Sequence, residues 1–403
     1  MSSTKSIINK KTLLFGLISV FLCGMGFSII MPVVPFLVTP YVTNASDQAL
    51  MVTLLTSVYA LCVFFAAPGL GALSDRFGRR PVLLICFIGS AIGYFIFGLG
   101  GALWVLFLGR IIEGITGGSI STLFAFFADI TPQKERTKYF GWVSAAAGAG
   151  AALGPAFGGL LAHFGYAMPF FFGAAITFIN FLFGYFYMPE SLEEANRLKR
   201  IPLMRLNPFS QLLNILTIKN LGRLLIAAFF IWVPNGSLQA VMSQFAIDSF
   251  SWKPALIGMM FSIMGIQDIL SQAFVMPKLL LKLTDKQIAI LGMIAEIIGY
   301  LLIAASSIFT LAPLLVIGMF VFGFGDSIFG PSFNGMVSKS ASASEQGRIQ
   351  GGSQAIQSVA RIIGPVIGGQ LYITLGHAAP AIMGVLLITV AIFILYKKTS
   401  LAK

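Results

Sequence analysis

Charge is what this 403-residue chain has least of. Asp, Glu, Lys and Arg make up 10% of it, against 57% hydrophobic residues. A water-soluble domain carries about 25% charged residues. So little charge cannot coat a water-facing surface of this size, so lipid must be the solvent for much of the chain. Cysteine is nearly absent too. Cys23, Cys62 and Cys86 all fall inside apolar runs, which speaks against a disulfide framework. With His163 and His377 as the two histidines there is no zinc-ligand cluster. There is also no phosphate-cradling Walker loop, so no sign of ATP-driven work. No nucleophile–base pattern assembles. The expectation is a protein that is not an enzyme and needs no metal or cofactor.

What is present is a series of long apolar runs. In lipid, backbone polar groups are satisfied by helices or by a closed barrel. The runs reach about 20 residues and show no alternating ten-residue pattern, so helices are expected. Twelve spans fall at 12–38, 49–71, 82–100, 102–128, 138–162, 167–188, 217–247, 254–281, 287–307, 311–338, 348–373 and 377–397. The first, preceded by Lys10 and Lys11, is too long for a signal peptide and reads as an uncleaved span.

The basic residues sort by side. With the N-terminus in the cytoplasm, Lys5, Lys10, Lys11, Arg76, Arg79, Arg80, Lys134, Arg136, Lys138, Lys282, Lys286, Lys339, Arg348, Lys397, Lys398 and Lys403 all fall inside. So do the charges of the one linker-like stretch, Glu190 to Arg205, while Lys253 falls outside. This positive-inside pattern puts both termini in the cytoplasm. It accounts for the net charge of +12 without a nucleic-acid partner.

An internal repeat appears at a shift of 210 residues. Asp75-Arg76 aligns with Asp285-Lys286, Gly141 with Gly351, and Gly154-Pro155-x-x-Gly158-Gly159 with Gly364-Pro365-x-x-Gly368-Gly369. The fold expected is therefore an all-α membrane protein of two six-helix bundles, related by an axis along the membrane normal. Residues 1–190 form the first bundle, 191–216 a cytoplasmic linker and 217–403 the second. In such folds the substrate path runs between the halves near the midplane.

Ionisable groups inside the spans are the candidate machinery. Counting 1.5 Å per residue puts Glu113, Asp268 and Asp326 about 16–22 Å into the bilayer, Glu296 about 13 Å, Arg361 about 20 Å and Arg110 about 12 Å. Four acids face two bases, and acids in excess of bases can bind and release protons. Glu113 sits one turn beyond Arg110 and can neutralise it, as a structural counter-ion or as an ionised proton carrier. Gln354, Gln357 and Arg361 share one helical face, and Asn235 and Gln239 another. Polar faces on apolar helices are expected to line an aqueous cavity.

Several stretches carry a family resemblance. The charged loop Gly71-x-x-x-Asp75-Arg76-x-Gly78-Arg79-Arg80 resembles the loop between helices 2 and 3 of the major facilitator superfamily. In that family its aspartate and an arginine latch the two halves, and Asp129 matches the acidic partner of the arginine, here Arg79. Arg110 matches the family's fourth-helix arginine. Gly150-x-x-x-Gly154-Pro155-x-x-Gly158-Gly159 resembles the motif of drug/proton antiporters. Wording near Ala128–Gly141, Ser271–Phe274 and Leu291–Ala295 is similar to tetracycline exporters. The chain departs from that subfamily at Cys23, Val63 and Gly93, and Glu296 and Asp268 stand at two of its functional positions. Asp326 resembles the tenth-helix aspartate of quinolone exporters, whose seventh-helix glutamate is Gln239 here.

The resemblance implies a monomeric proton-coupled exporter of amphipathic small molecules in a bacterial inner membrane, with the proton gradient as its energy source. The competing readings are a lipid-head-group flippase or proton-coupled importer on the same scaffold, and, more remotely, a non-transporting receptor.

Overall fold

The computed structural model describes residues 10–117, 119–132, 136–201, 206–209, 221–339 and 346–396. Among them the structure is helical. The first six spans are α1 (Lys10–Ile29), α2 (Ala45–Phe77), α3 (Arg79–Leu99), α4 (Leu103–Thr116 and Ser119–Ile130), α5 (Arg136–Leu161) and α6 (Met168–Tyr187). The next six are α7 (Leu221–Phe250), α8 (Pro254–Leu270, carried on through Ser271–Val275 and Met276–Leu280), α9 (Asp285–Ile308), α10 (Ala312–Lys339), α11 (Gln346–Leu375) and α12 (Ala379–Tyr396). Among the described residues, eleven helices are long and apolar enough to cross a membrane. The remaining crossing is α4, whose two pieces of 14 and 12 residues are each too short alone.

Three boundaries differ from the sequence expectation. The span expected at 12–38 breaks after Ile29, and a short helix Val34–Val38 follows with a proline in its first turn. Pro32 and Pro35 cannot donate the backbone bonds a continuous helix needs. The span expected at 102–128 breaks at Gly117, next to Gly118, a pair of the kind that interrupts helices. The charged loop expected at 71–81 is almost all helix. α2 runs on through Asp75, Arg76 and Phe77, and α3 starts at Arg79. Gly78 alone makes the turn, at φ +105, a conformation that costs little without a Cβ. The polar residues lengthen α2 rather than ending it.

Helix packing follows the repeat. α1 lies along α5 as α7 lies along α11. α3 packs on α4 and α6 as α9 packs on α10 and α12, and α2 on α4 as α8 on α10. The halves meet through two equivalent pairs, α5 with α8 and α11 with α2. The glycines set these contacts. A Cβ at Gly150, Gly154 or Gly158 would strike α1 at Phe21, Ser28 and Ile29, and one at Gly159 would strike Pro254 across the halves. In the second half, Gly364 and Gly368 lie against Val233 and Ser237 of α7, and Gly369 against Thr53 of α2.

The contacts between the halves, Gly159 on Pro254 and Gly369 on Thr53, lie toward one end of the bundle, the end opposite Gly78. There the Ala156 amide donates to Ser262 Oγ at 2.9 Å, and Ser243 Oγ to the Met31 carbonyl at 2.9 Å. Toward the Gly78 end, Gly141 and Gly148 of α5 and Gly69 and Gly71 of α2 have nothing within 4 Å of where a Cβ would sit. Gly71 therefore makes no close helix approach. The halves are closed at the far end and parted at the Gly78 end.

Candidate functional site

A cavity of about 470 Å3 opens among α7, α8, α10 and α11. Its polar lining is Asn235, Gln239, Asp268, Gln272, Asp326, Gln357 and Arg361; Trp232, Phe261, Phe322 and Phe329 supply aromatic walls. Every lining residue belongs to the second half. Asp326 is exposed to this cavity although it sits mid-helix in α10. Its Oδ1 accepts from Asn235 Nδ2 at 3.0 Å, and Tyr300 OH donates to Asn235 Oδ1 at 2.9 Å. Tyr300 thereby fixes the amide so that its donor side faces the carboxylate. Asp268 accepts from Gln272 Nε2 at 2.9 Å. Arg361 lines the same cavity as Asp326, with Tyr59 of the other half within electrostatic reach. Two carboxylates share the cavity with one guanidinium.

The segment after Asp268 is not ordinary helix. Ser271–Val275 takes the wider π geometry. The cause is Pro277, which lacks an N–H and would clash with the carbonyl four residues earlier. Gln272, inside this segment, lines the cavity one turn beyond Asp268.

Glu296 is placed differently. It is 0% exposed, on the face of α9 that packs against α10, and is not among the cavity-lining residues. Gly325 makes the room, since a Cβ there would lie 2.8 Å from the Glu296 amide. Neither carboxyl oxygen has a hydrogen-bond partner among the described residues. Its polar neighbours Asn235 and Asp326 both line the cavity. A wholly buried, unpaired carboxylate is costly when ionised.

The first half holds its own pocket, about 70 Å3, lined by Cys23, Tyr59, Ser90, Tyr94, Glu113, Ser119 and Asn180 among others. Arg110 donates to Glu113 Oε2 at 2.7 Å, with side-chain exposures of 7% and 4%. The guanidinium also lies over Phe97 at 5.0 Å and Tyr59 at 5.5 Å. Gly93 admits the pair, because a Cβ there would meet the Glu113 amide at 2.9 Å.

At the Gly78 end, Arg79 is the hub. It reaches Asp75 Oδ1 at 2.6 Å, Ser74 Oγ at 2.7 Å and Asp129 Oδ2 at 3.0 Å. Glu190 caps the start of α3, accepting the Arg79 and Arg80 amides at 2.8 and 3.2 Å. That carboxylate sits on the positive end of the α3 dipole. Arg80 donates to the Tyr185 carbonyl at 2.6 Å, and Arg76 lies over the Phe77 ring at 5.0 Å. The second half reverses the charge. At the 210-residue shift Asp129 becomes Lys339 and Arg79 becomes Ala289, and Lys339 pairs directly with Asp285.

The structure thus brings Asp268, Asp326, Asn235, Gln239, Gln357 and Arg361 together, keeps Glu296 behind them, and sets Arg110 and Glu113 apart in the other half. The side chain of Gln354 lies outside the described residues. Sequence reasoning missed the roles of Tyr300, Gln272 and Glu190, and a polar cluster around Asp248 at the far end. Tyr300 carried one signal: it lies one turn beyond Glu296 on α9.

The Major Facilitator Superfamily profile matches residues 16–233 and again residues 224–402. The chain belongs to the Major Facilitator Superfamily. It is 35% identical to tetracycline resistance protein class C of Escherichia coli, over 88% of each chain. It is 30% identical to multidrug resistance protein 2 of Bacillus subtilis (strain 168), over 91% of this chain and 90% of that protein. Among solved structures, the human organic anion transporter MFSD10 (TETRAN) superposes with a TM-score of 0.74 at 21% identity. That match covers 96% of this chain and 99% of the other. At that identity the likeness speaks to fold alone. The chain is an integral membrane protein of the transporter fold.

Proposed function

We propose that this protein is a proton-coupled exporter of amphipathic small molecules of the drug class, cationic or zwitterionic in charge. The cavity carries the reading. Asp268 and Asp326 outnumber Arg361, and aromatic and methionine side chains wall the rest. Such a site suits an apolar body with a positive centre. The direction of transport comes from the relatives, whose names are those of tetracycline and multidrug resistance proteins.

The positive-inside rule assigns the Gly78 end to the cytoplasm, since Arg76, Arg79, Arg80, Lys282, Lys286 and Lys339 gather there and Lys253 lies at the far end. The structure is then an inward-open state, closed outside. In the cycle, an ionised Asp326 attracts substrate from the inside. After the halves rock, a proton from outside takes its place and substrate leaves. Each ligand needs only a different affinity for the two states. Glu296, beside Asn235, supplies a second protonatable group that is shielded from the substrate.

Uptake of a fluorescent cationic dye into inverted membrane vesicles, driven by an imposed proton gradient, tests this. Asp326→Asn is expected to lower the initial rate by on the order of tenfold or more. Normal proton-driven uptake by Asp326→Asn, Asp268→Asn and Glu296→Gln, each alone, would overturn the assignment of protonation.

A further inference from the structure

The far end of the cleft is closed by a polar chain that the transport cycle above does not use. Gln244 of α7 is fully buried, and its Nε2 donates to two acceptors: Asp248 Oδ1 of its own helix at 2.8 Å and Gln48 Oε1 of α2, in the other half, at 3.1 Å. Asp248 Oδ2 accepts from Tyr372 OH of α11 at 2.7 Å. Tyr372 is in turn stacked on His377, ring centroids 4.6 Å apart at 7°, and His377 Nδ1 meets Ser249 Oγ at 3.2 Å. Gln48 is anchored on its own side, donating to the Pro35 carbonyl at 2.7 Å and to Thr39 Oγ1 at 2.9 Å.

We propose that Gln48, Gln244 and Asp248 form the polar lock of the outer gate, with Asp248 as the positioning residue that holds Gln244 in its bridging orientation. The argument is one of donors and acceptors. Both Asp248 and Gln48 present acceptors to the same amide nitrogen. Turned over, the Gln244 amide would set its oxygen against two oxygens, one of them charged. The bridging orientation leaves Gln244 Oε1 buried without a partner among the described residues. The lock therefore closes the cleft while keeping one polar group unsatisfied, which suits a contact that must break once per cycle. The close contacts beside it, Gly369 on Thr53 and Gly159 on Pro254, supply fit, and the Ala156–Ser262 and Ser243–Met31 hydrogen bonds also cross the halves at this end, but neither involves a charged group.

This inference rests on the alternating-access reading, and its test reads conformation without any substrate. The full-length chain, with Cys23, Cys62 and Cys86 replaced by serine, receives spin labels at Ser46→Cys and Ile308→Cys. These positions are at the far end, one on each half. Pulsed electron spin resonance in lipid nanodiscs then gives the distance distribution between the halves. Gln48→Leu, Gln244→Leu and Asp248→Leu are each expected to raise the ratio of separated to closed protein by about tenfold, which corresponds to about 1.4 kcal/mol. Gln48→Leu combined with Gln244→Leu is expected to add little to either alone, because both remove the same bond. Ser306→Ala, which removes a buried bond internal to α9, is expected to leave the distribution unchanged.

Tyr372→Phe and Gln48→Asn are the milder variants, should the leucines fail to fold. An unchanged distribution in these two, at unchanged thermal stability, overturns the lock. A shifted distribution in a protein that moves no dye would uphold the lock and refute the export reading instead.

Discussion

Replacing Arg110 by methionine should separate two roles for its partner Glu113. The pair is buried, 2.7 Å apart, with 7% and 4% of the side chains exposed. Removing the guanidinium strands the carboxylate in a pocket whose remaining polar groups are hydroxyls, a thiol and an amide. Breaking a buried pair from one side costs about 3–5 kcal/mol. In a chain of this length that is a fall in Tm on the order of 5 °C.

Arg110→Met with Glu113→Gln removes both charges and should recover most of that loss. Glu113→Gln alone should cost less than Arg110→Met, since the amide still offers the guanidinium an acceptor and the rings of Phe97 and Tyr59 remain over it. A thiol-reactive dye suits the assay, because Cys86 is buried in the fold and reacts on unfolding. Transport by the double variant then decides the role. Restored stability with lost proton-driven uptake marks Glu113 as a proton carrier; restoration of both marks a structural pair. A Tm for Arg110→Met within about 1 °C of the parent, against the shift expected above, would refute the desolvation argument itself.

Two further outcomes follow from the geometry. Gly154→Val should abolish accumulation of folded protein, since even a Cβ there meets Ser28 Oγ and Met25 O, whereas Gly141→Ala and Gly148→Ala, with open space around them, should be neutral or slightly stabilising. Membrane expression and thermal melts check this. Arg79→Lys should fail to rescue transport lost in Arg79→Ala, because one ammonium cannot match a guanidinium that meets Asp75, Ser74 and Asp129 at once; vesicle uptake compares the two.

The sequence by itself determined the solvent, the helix number and the duplicated plan. Those follow from composition, run length and a repeat, and each is set by local chain properties or by identity at fixed spacing. It also placed Asp326, Asp268 and Arg361 at depth, because rise per residue is constant along a helix. The breaks near Pro32, Pro35 and Gly117 are written in the same local code, since proline and glycine act on the backbone beside them.

Only the tertiary structure decided which acids share a space. Asp326 and Glu296 both sit well inside their spans, yet one faces the cavity and the other is sealed against Gly325, because rotation about the helix axis is set by the neighbour and not by the helix. The same holds for Gln48, Gln244 and Asp248. Gln48 and Gln244 lie 196 residues apart, so their meeting depends on the closed state of the two halves. That state is a balance of contacts between the bundles, and no stretch of sequence contains both sides of it.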